Sequence, residues 1–191
     1  AMAGTYSVGV SVAGCSSVTT GNVNVLVNPV PSAGISYAGA PYCLSITAAQ
    51  PVTLTGTTGG VFSAPAALSI NASTGAITPS SSVAGGPYTV TYTIPAAGGC
   101  ALFSTTSAVS ILGIPAATTV TGGGTFCNSR TITASGGGGG TIYFQGTTSG
   151  GTSTAIASSS QVITSSGTYY FRSRNASGCW GTQGSVTVNI Q

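Results

Sequence analysis

The sequence has no aspartate, glutamate or histidine, and its only charged side chains are three arginines among 191 residues. General acid–base catalysis relies chiefly on His, Asp, Glu or Lys, and sites for hard metal ions rely on carboxylates. The composition therefore argues against an enzyme and predicts neither a cofactor nor a metal site. A net charge of +3 also falls short of the roughly 6–10 phosphate contacts typical of nucleic-acid binding, so no nucleic-acid partner is expected.

Long hydrophobic runs are missing as well. No apolar stretch approaches the roughly 20 residues of a membrane helix, so we expect no membrane insertion, and the first residues carry no feature of a signal peptide. Hydrophobic residues nevertheless make up 41% of the chain, which is too many for a disordered segment. The sequence indicates a folded chain whose surface is made of neutral hydroxyl and amide groups.

One pattern occurs three times along the chain. Each copy has a tyrosine after Gly-x, then a Gly-Cys pair, then a run of β-branched residues, and the first two copies end in proline-containing segments. This repetition divides the chain into the closing strands of one unit (1–30), a complete unit (31–113) and a second complete unit (114–191). The tyrosines are Tyr6, Tyr88 and Tyr169, and the cysteines that follow them are Cys15, Cys100 and Cys179.

Within the units the hydrophobic period is two. Tyr88, Val90, Tyr92 and Ile94 alternate with threonines, which predicts a half-buried strand. Several short strands per unit, separated by Gly- and Pro-rich turns, predict an all-β chain of tandem immunoglobulin-like antiparallel β-sandwich domains. The repeated tyrosines also stand where such sandwiches carry a tyrosine corner.

The same reasoning places six strands in each complete unit. We expect them in the unit 31–113 near Ile35–Ala38, Val52–Thr55, Leu68–Ile70, Ala76–Thr78, Tyr88–Ile94 and Ala108–Leu112. In the unit 114–191 we expect them near Thr118–Thr121, Arg130–Ala134, Thr141–Gln145, Gln161–Thr164, Tyr169–Arg174 and Ser185–Ile190.

Five cysteines are present, and none lies in a Cys-x-x-Cys pair. This pattern favours disulfides in an exported protein over zinc or redox sites. Each complete unit has an early and a late cysteine, so the simplest pairing is Cys43–Cys100 and Cys127–Cys179, and Cys15 is expected to pair with a residue before the first. The early and late cysteines should, however, lie at opposite poles of a sandwich, which leaves a bond between units, Cys43–Cys179, as the alternative.

One strand face combines aromatic and basic side chains. Tyr170, Arg172 and Arg174 alternate along the predicted strand, and Tyr143 and Trp180 are candidates to join them. Aromatic rings and guanidinium groups could stack on a sugar or hold an anionic glycan. The alternative is a solvated strand face whose arginine stems cover apolar surface.

Three other motifs are interpreted as turns. The glycine run 136–140 precedes no lysine and no helix, as a phosphate loop would require. The sequons at Asn71 and Asn175 match the glycosylation pattern, but both fall between predicted strands.

The order of the motifs resembles a known family. The segments 35–43, 55–64 and 68–77 are similar to one type of immunoglobulin-like repeat found in very large secreted cell-surface adhesins of Bacteroidetes, such as the SprB-type gliding adhesins. The segments 121–127, 140–146 and 178–184 resemble a second repeat type. The resemblance implies export by type IX secretion, display outside the cell, and a role in adhesion or gliding motility.

The expected function is therefore that of a non-catalytic structural segment of an extracellular filamentous adhesin, acting as a rod-like spacer or tether. Neighbouring repeats of the same chain are the expected partners. Lateral self-assembly, the secretion machinery and a surface polysaccharide are further candidates. Two alternatives stay open: a carbohydrate-binding module built on the aromatic face, and a spacer of a secreted multidomain hydrolase.

Overall fold

A computed structural model describes residues 2–16 and 21–191. These residues form an all-β structure, as expected, with a single turn of 3-10 helix at Pro79–Ser81. The strands are β1 (Gly4–Val8), β2 (Ser11–Val12), β3 (Cys15–Ser16), β4 (Gly21–Val25), β5 (Ala33–Ser36), β6 (Tyr42–Cys43), β7 (Thr53–Gly56), β8 (Val61–Ser63), β9 (Gly85–Ile94), β10 (Phe103–Leu112), β11 (Thr118–Thr121), β12 (Gly124–Phe126), β13 (Arg130–Gly136), β14 (Thr141–Phe144), β15 (Ser160–Ile163), β16 (Gly167–Arg174) and β17 (Gly184–Ile190).

The three copies of the sequence repeat form three equivalent antiparallel pairs of strands. β1 pairs with β4, β9 with β10, and β16 with β17. In each pair the repeated tyrosine lies opposite a valine, and these partners are Tyr6 and Val23, Tyr88 and Val109, and Tyr169 and Val186. The late cysteine of each copy lies in the connection between its two strands. We call residues 1–30, 31–113 and 114–191 the first, middle and last units, and their boundaries stay a prediction.

The middle unit is a sandwich of two sheets. Strands β5 and β7 form one sheet, and β6, β10, β9 and β8 form the other in that order. Val90, Tyr92 and Val109 are almost fully buried between the sheets, and Ile35 and Leu54 of the smaller sheet pack against this cluster. The alternation of valine or tyrosine with threonine on β9 produces this arrangement because successive side chains point to opposite faces.

The last unit repeats the sandwich with its own core. One sheet has the order β11-β13-β15 and the other the order β12-β17-β16-β14. Ile132 of the first sheet and Phe171 and Val188 of the second are fully buried in one cluster. Phe144 packs on this cluster, and its ring centroid lies 5.1 Å from that of Phe171. The last unit therefore has a hydrophobic core separate from that of the middle unit.

The first unit consists of strand pairs without a core. Its alternating apolar side chains are largely exposed, among them Tyr6, Val8 and Val23. Two of its strands, β2 and β3, form a small antiparallel pair that holds Val12 opposite Cys15.

The sandwiches differ from the expectation in one respect, because their sheets are not wholly antiparallel. The short strand β6 runs parallel to β10, with Cys43 opposite Leu112. In the last unit β12 runs parallel to β17, with Phe126 opposite Ile190. Each early cysteine is thereby placed beside the end of the last strand of its own unit.

Several expected strands also differ from those observed. The expected strands 68–70 and 76–78 reduce to isolated bridges, Ile70 with Ile77 and Gln50 with Ile77. In their place the turn 71–76 folds back, and the short strand β8 pairs with β9 through Phe62 and Tyr92. No described segment forms a helix long and apolar enough to cross a membrane.

Candidate functional site

The first candidate site is a disulfide that joins the middle unit to the last unit. Cys43 and Cys179 are bonded, with Cα atoms 5.6 Å apart across a sequence separation of 136 residues. The pairing within units, Cys43–Cys100 and Cys127–Cys179, is therefore wrong, and the bond between units is the one formed. Cys15, Cys100 and Cys127 have no disulfide partner among the described residues.

Cys43 reaches this position because β6 lies at the exit of the middle unit. Its parallel pairing with β10 puts Cys43 opposite Leu112, and the backbone N–H of Leu44 donates a 2.9 Å hydrogen bond to the Leu112 carbonyl. The chain leaves the middle unit at the next residue, Gly113. The early cysteine thus lies beside the segment that leads into the last unit.

Cys179 lies at the opposite pole of its own unit, in the connection between β16 and β17. Its backbone N–H donates to the side-chain oxygen of Asn175 at 2.9 Å, and the side-chain amide of Asn175 donates to the Gly113 carbonyl at 2.8 Å. The side chain of Asn175 therefore ties the turn that carries Cys179 to the linker. Cys179 is fully buried.

The linker is held against the last unit over several residues. The Ser173 hydroxyl donates to the Ala116 carbonyl at 3.2 Å, and the buried Thr118 hydroxyl accepts a 2.7 Å hydrogen bond from the Gly184 N–H. Gly181 is required here, because a Cβ at this position would lie only 2.8 Å from the Pro115 carbonyl oxygen. The linker and the disulfide together form a junction with little free chain.

The second candidate site is a cluster around Trp180. The ring centroids of Tyr143 and Trp180 are 5.6 Å apart in an edge-on arrangement. The guanidinium carbons of Arg172 and Arg174 lie 5.5 and 5.9 Å from the Trp180 ring centroid. Because β14 and β16 pair with Tyr143 opposite Arg172, the sheet itself aligns these side chains. Tyr170 lies on the same face but contributes neither a ring contact nor a cation–π contact to this cluster.

The two arginines of the cluster have different surroundings. Arg172 is half-buried, and its guanidinium donates to the carbonyls of Gly181 at 3.0 Å and of Gly150 and Gly151 at 3.3 Å. Burial lowers the pKa of Arg172 from its usual value. Arg174 is exposed, and one of its nitrogens donates to the Gly178 carbonyl at 3.3 Å. Arg172 is therefore mainly a structural clamp on the loop 150–151, whereas Arg174 has donors free to face solvent.

A cleft opens beside the cluster. It has a volume of about 460 Å³. Glycines from the run 136–140 form part of its rim, which the sequence did not indicate. Its lining residues are Gly139, Gly140, Thr141, Tyr143, Arg174, Asn175 and Ala176. A ligand-binding role for the cluster and the cleft stays a prediction.

The other motifs form turns. The side-chain oxygen of Asn71 accepts hydrogen bonds from the backbone N–H groups of Ser73 and Thr74 at 2.9 and 3.0 Å. The amide of Asn175 is engaged at the junction, as described above. Within the described residues no group of three or more potential metal-ligating side chains is found.

Comparison with known proteins gives only distant structural likeness. No family model and no curated protein matches the sequence. The chain is similar to the four N-terminal immunoglobulin domains of Dscam1 isoform 6.9, with 12% identity, a TM-score of 0.31, and coverage of 93% of this chain and 50% of that one. It is also similar to Drosophila N-cadherin EC1-4, with 13% identity, a TM-score of 0.28, and coverage of 97% of this chain and 57% of that one. The chain thus spans about half the length of these structures.

The fold assignment rests on the strand pairing and the core packing described above. The disulfide is consistent with an extracellular location, because disulfides persist mainly in oxidising compartments.

Proposed function

We propose that the chain is a non-catalytic tether segment of an extracellular filamentous adhesin. The observation that carries the proposal is the Cys43–Cys179 bond, which joins two separately cored sandwiches at their linker. The near absence of charged side chains supports a passive role, because the residue types of acid–base chemistry are missing. The resemblance to adhesin repeats supports display on a cell surface, export by type IX secretion and service in adhesion or gliding.

The bond gives the tether a defined path for mechanical force. Tension applied at the two ends of the chain passes from Cys43 to Cys179 through sulfur, so that the backbone between them bears no load. The separation of 136 residues corresponds to about 480 Å of extended chain at about 3.5 Å per residue. Both hydrophobic cores lie almost wholly within this shielded stretch. The oxidised chain should therefore resist extension while its sandwiches stay folded.

Single-molecule force spectroscopy on the full chain, held at its first and last residues, tests this mechanism. The oxidised chain should lengthen without releasing the shielded 480 Å. After reduction, or in the double variant Cys43→Ser/Cys179→Ser, two additional unfolding events should release that length. A matched control, Cys15→Ser, should behave as the unmodified chain does. Equal extension of the oxidised and reduced chains would overturn the proposal.

The partner proteins of such a tether are also part of the proposal. Neighbouring repeats of the same chain are the primary partners, and lateral self-assembly with other filaments and contact with the secretion machinery are secondary ones. A spacer in a secreted multidomain hydrolase would share the same mechanics, and the sequence of any adjoining domains distinguishes the two.

A second candidate function is carbohydrate binding, which the Trp180 cluster and its cleft favour. An aromatic ring flanked by two cations suits a sugar face or an anionic glycan. A glycan array with the full chain tests this, with Trp180→Ala and Arg174→Ala expected to abolish saturable binding. Val162→Ala, on an exposed strand of the same unit, is the control, and an array without saturable binding would remove this candidate.

A further inference from the structure

The unpaired cysteines Cys100 and Cys127 occupy the same structural positions as the two bonded ones. The equivalence rests on strand pairing and linker contacts as well as on sequence order. It concerns how successive repeats are joined and requires no adhesive role.

Cys127 corresponds to Cys43. Cys43 ends a short strand that runs parallel to the last strand of the middle unit. Cys127 directly follows β12, which runs parallel to the last strand of its own unit with Phe126 opposite Ile190. The backbone N–H of Gln191 donates to the Phe126 carbonyl at 3.0 Å, so Cys127 lies beside the exit of the last unit. It is exposed there, as a cysteine waiting for a partner from outside the unit must be.

Cys100 corresponds to Cys179. Both lie in the connection between the paired strands that carry the repeated tyrosine and valine, at the entry pole of their unit. The turn of Cys179 is bonded to the linker that precedes its unit, through Asn175 and Gly113. The turn of Cys100 is bonded likewise to the linker that precedes the middle unit. There the Asn28 amide donates to the Gly98 carbonyl at 2.8 Å, and the Cys100 thiol lies 3.7 Å from the Pro29 carbonyl.

We propose that the early cysteine of each repeat bonds to the late cysteine of the repeat that follows it. Cys127 is then the attachment point for the Gly-Cys turn of a succeeding repeat. Cys100 is the attachment point for the early cysteine of a preceding repeat, and Cys15, in the equivalent connection of the first unit, has the same role. The partner is thus a further immunoglobulin-like repeat of the same kind, placed in tandem.

The chemistry of each bond is a two-electron oxidation. A thiolate attacks a disulfide oxidant, such as oxidised glutathione or an oxidised thiol–disulfide oxidoreductase, and forms a mixed disulfide while one thiol leaves. The second cysteine thiolate then displaces the other half of the oxidant. Two protein thiols become one disulfide, and the oxidant takes up two electrons and two protons as it becomes two thiols.

Two extended chains test the pattern. In the first, residues 113–191 are appended again after residue 191, so that the Gly113 linker recurs. In the second, residues 1–113 are followed by residues 28–191, so that the linker before the middle unit recurs. Each chain is refolded with a mixture of reduced and oxidised glutathione and digested without reduction. Chymotrypsin, which cuts after Tyr42, Phe126 and Trp180, separates the cysteines for mass spectrometry.

The first chain should contain a bond from Cys127 to the appended copy of Cys179, in addition to Cys43–Cys179. The second should contain a bond from Cys43 of the first copy to Cys100 of the second copy. In the first chain Cys127→Ser should leave the appended Cys179 as a free thiol. Moving the thiol two residues along the same exposed segment, as Cys127→Ser/Ser129→Cys, should not restore the bond.

The proposal fails if the folded chains show Cys127–Cys179 or Cys43–Cys100 within one unit. It also fails if Cys127 and the appended Cys179 stay alkylatable after Cys43–Cys179 has formed. Folding is checked in each chain by far-ultraviolet circular dichroism and by Trp180 fluorescence. Because two chains test opposite ends of the pattern, misfolding of one leaves the other decisive. Neither result depends on the force experiment.

Discussion

The hydroxyl of Tyr169 donates a 2.8 Å hydrogen bond to the backbone carbonyl of Ser165, four residues earlier. Tyr88 makes the equivalent bond to Val83 at 3.0 Å, and Tyr6 makes it to Met2 at 2.9 Å. Each tyrosine therefore pins the turn that leads into its strand, which is what a tyrosine corner does in immunoglobulin-like sandwiches. The bond recurs in all three copies of the repeat, including the first unit, where no core surrounds it.

Loss of the Tyr169 hydroxyl should destabilise the last unit. We expect Tyr169→Phe to lower its free energy of unfolding by about 1 kcal/mol, because a buried carbonyl loses its donor while the ring stays in place. Trp180 is the only tryptophan, so its fluorescence during urea unfolding reports on this unit. Tyr143→Phe is the matched control, since no hydrogen bond of the Tyr143 hydroxyl occurs among the described residues. Equal effects of the two variants would contradict this role.

The core of the last unit should depend strongly on Phe171. Its side chain is fully buried between the two sheets, and Phe171→Ala should cost about 3–5 kcal/mol through lost burial and the cavity left behind. The same urea experiment measures the change. Val162→Ala, at a side chain that is 63% exposed, should stay within about 0.5 kcal/mol of the original chain. A cost below about 1 kcal/mol for Phe171→Ala would show that the sheets do not pack as described.

The number of free thiols separates the two cysteine pairings. With the single bond Cys43–Cys179, a denatured and unreduced chain should react with three equivalents of Ellman's reagent, one each for Cys15, Cys100 and Cys127. Pairing within units would leave one free thiol. The variant Cys43→Ser should raise the count by one, through release of Cys179, whereas Cys15→Ser should lower it by one.

Stability should be lost on the alkaline side. Burial, together with the nearby Tyr42, raises the pKa of Tyr37 to about 12, and burial raises that of Tyr42 as well. The folded chain then keeps phenolic protons that the unfolded chain releases near pH 10. The stability from these protons is complete below pH 10 and falls as the pH rises toward 12. Circular dichroism during urea unfolding at several pH values measures this fall.

The variant Tyr37→Phe distinguishes this cause from general alkaline damage. It removes the hydrogen bond from the Tyr37 hydroxyl to the Gly75 carbonyl and so lowers stability at neutral pH. Its decline between pH 10 and 12 should be shallower than that of the unmodified chain. Between about pH 4 and 7 both chains should be nearly insensitive to pH, because the sequence has no aspartate, glutamate or histidine. A steep acid transition in that range would contradict the account.

The sequence predicted most strongly what local periodicity determines. The alternation along Tyr88–Ile94 identified the strand β9 and its buried face, and the same pattern identified β16. Strands of two or three residues, such as β6 and β12, were missed because pairing with a distant strand stabilises them rather than any local run. The segments around Ile70 and Ile77 have strand-like composition, but the turn between them leaves only single bridges.

The candidate sites depended even more on tertiary arrangement. The shared face of Arg172 and Arg174 was predictable from the period of two, whereas the contact with Trp180 depends on the turn held by Asn175. The choice between disulfide pairings required the parallel strand that brings Cys43 to the exit of its unit. The expectation that early and late cysteines lie at opposite poles was correct, and it contained the reason for the bond between units.

The same bond determines what happens when the backbone is cut. A trypsin-like protease has three cleavage points here, after Arg130, Arg172 and Arg174. All three lie between Cys43 and Cys179, so a single nick at any of them severs the polypeptide but leaves both fragments connected through sulfur. Proteolytic damage of this kind would shorten no filament.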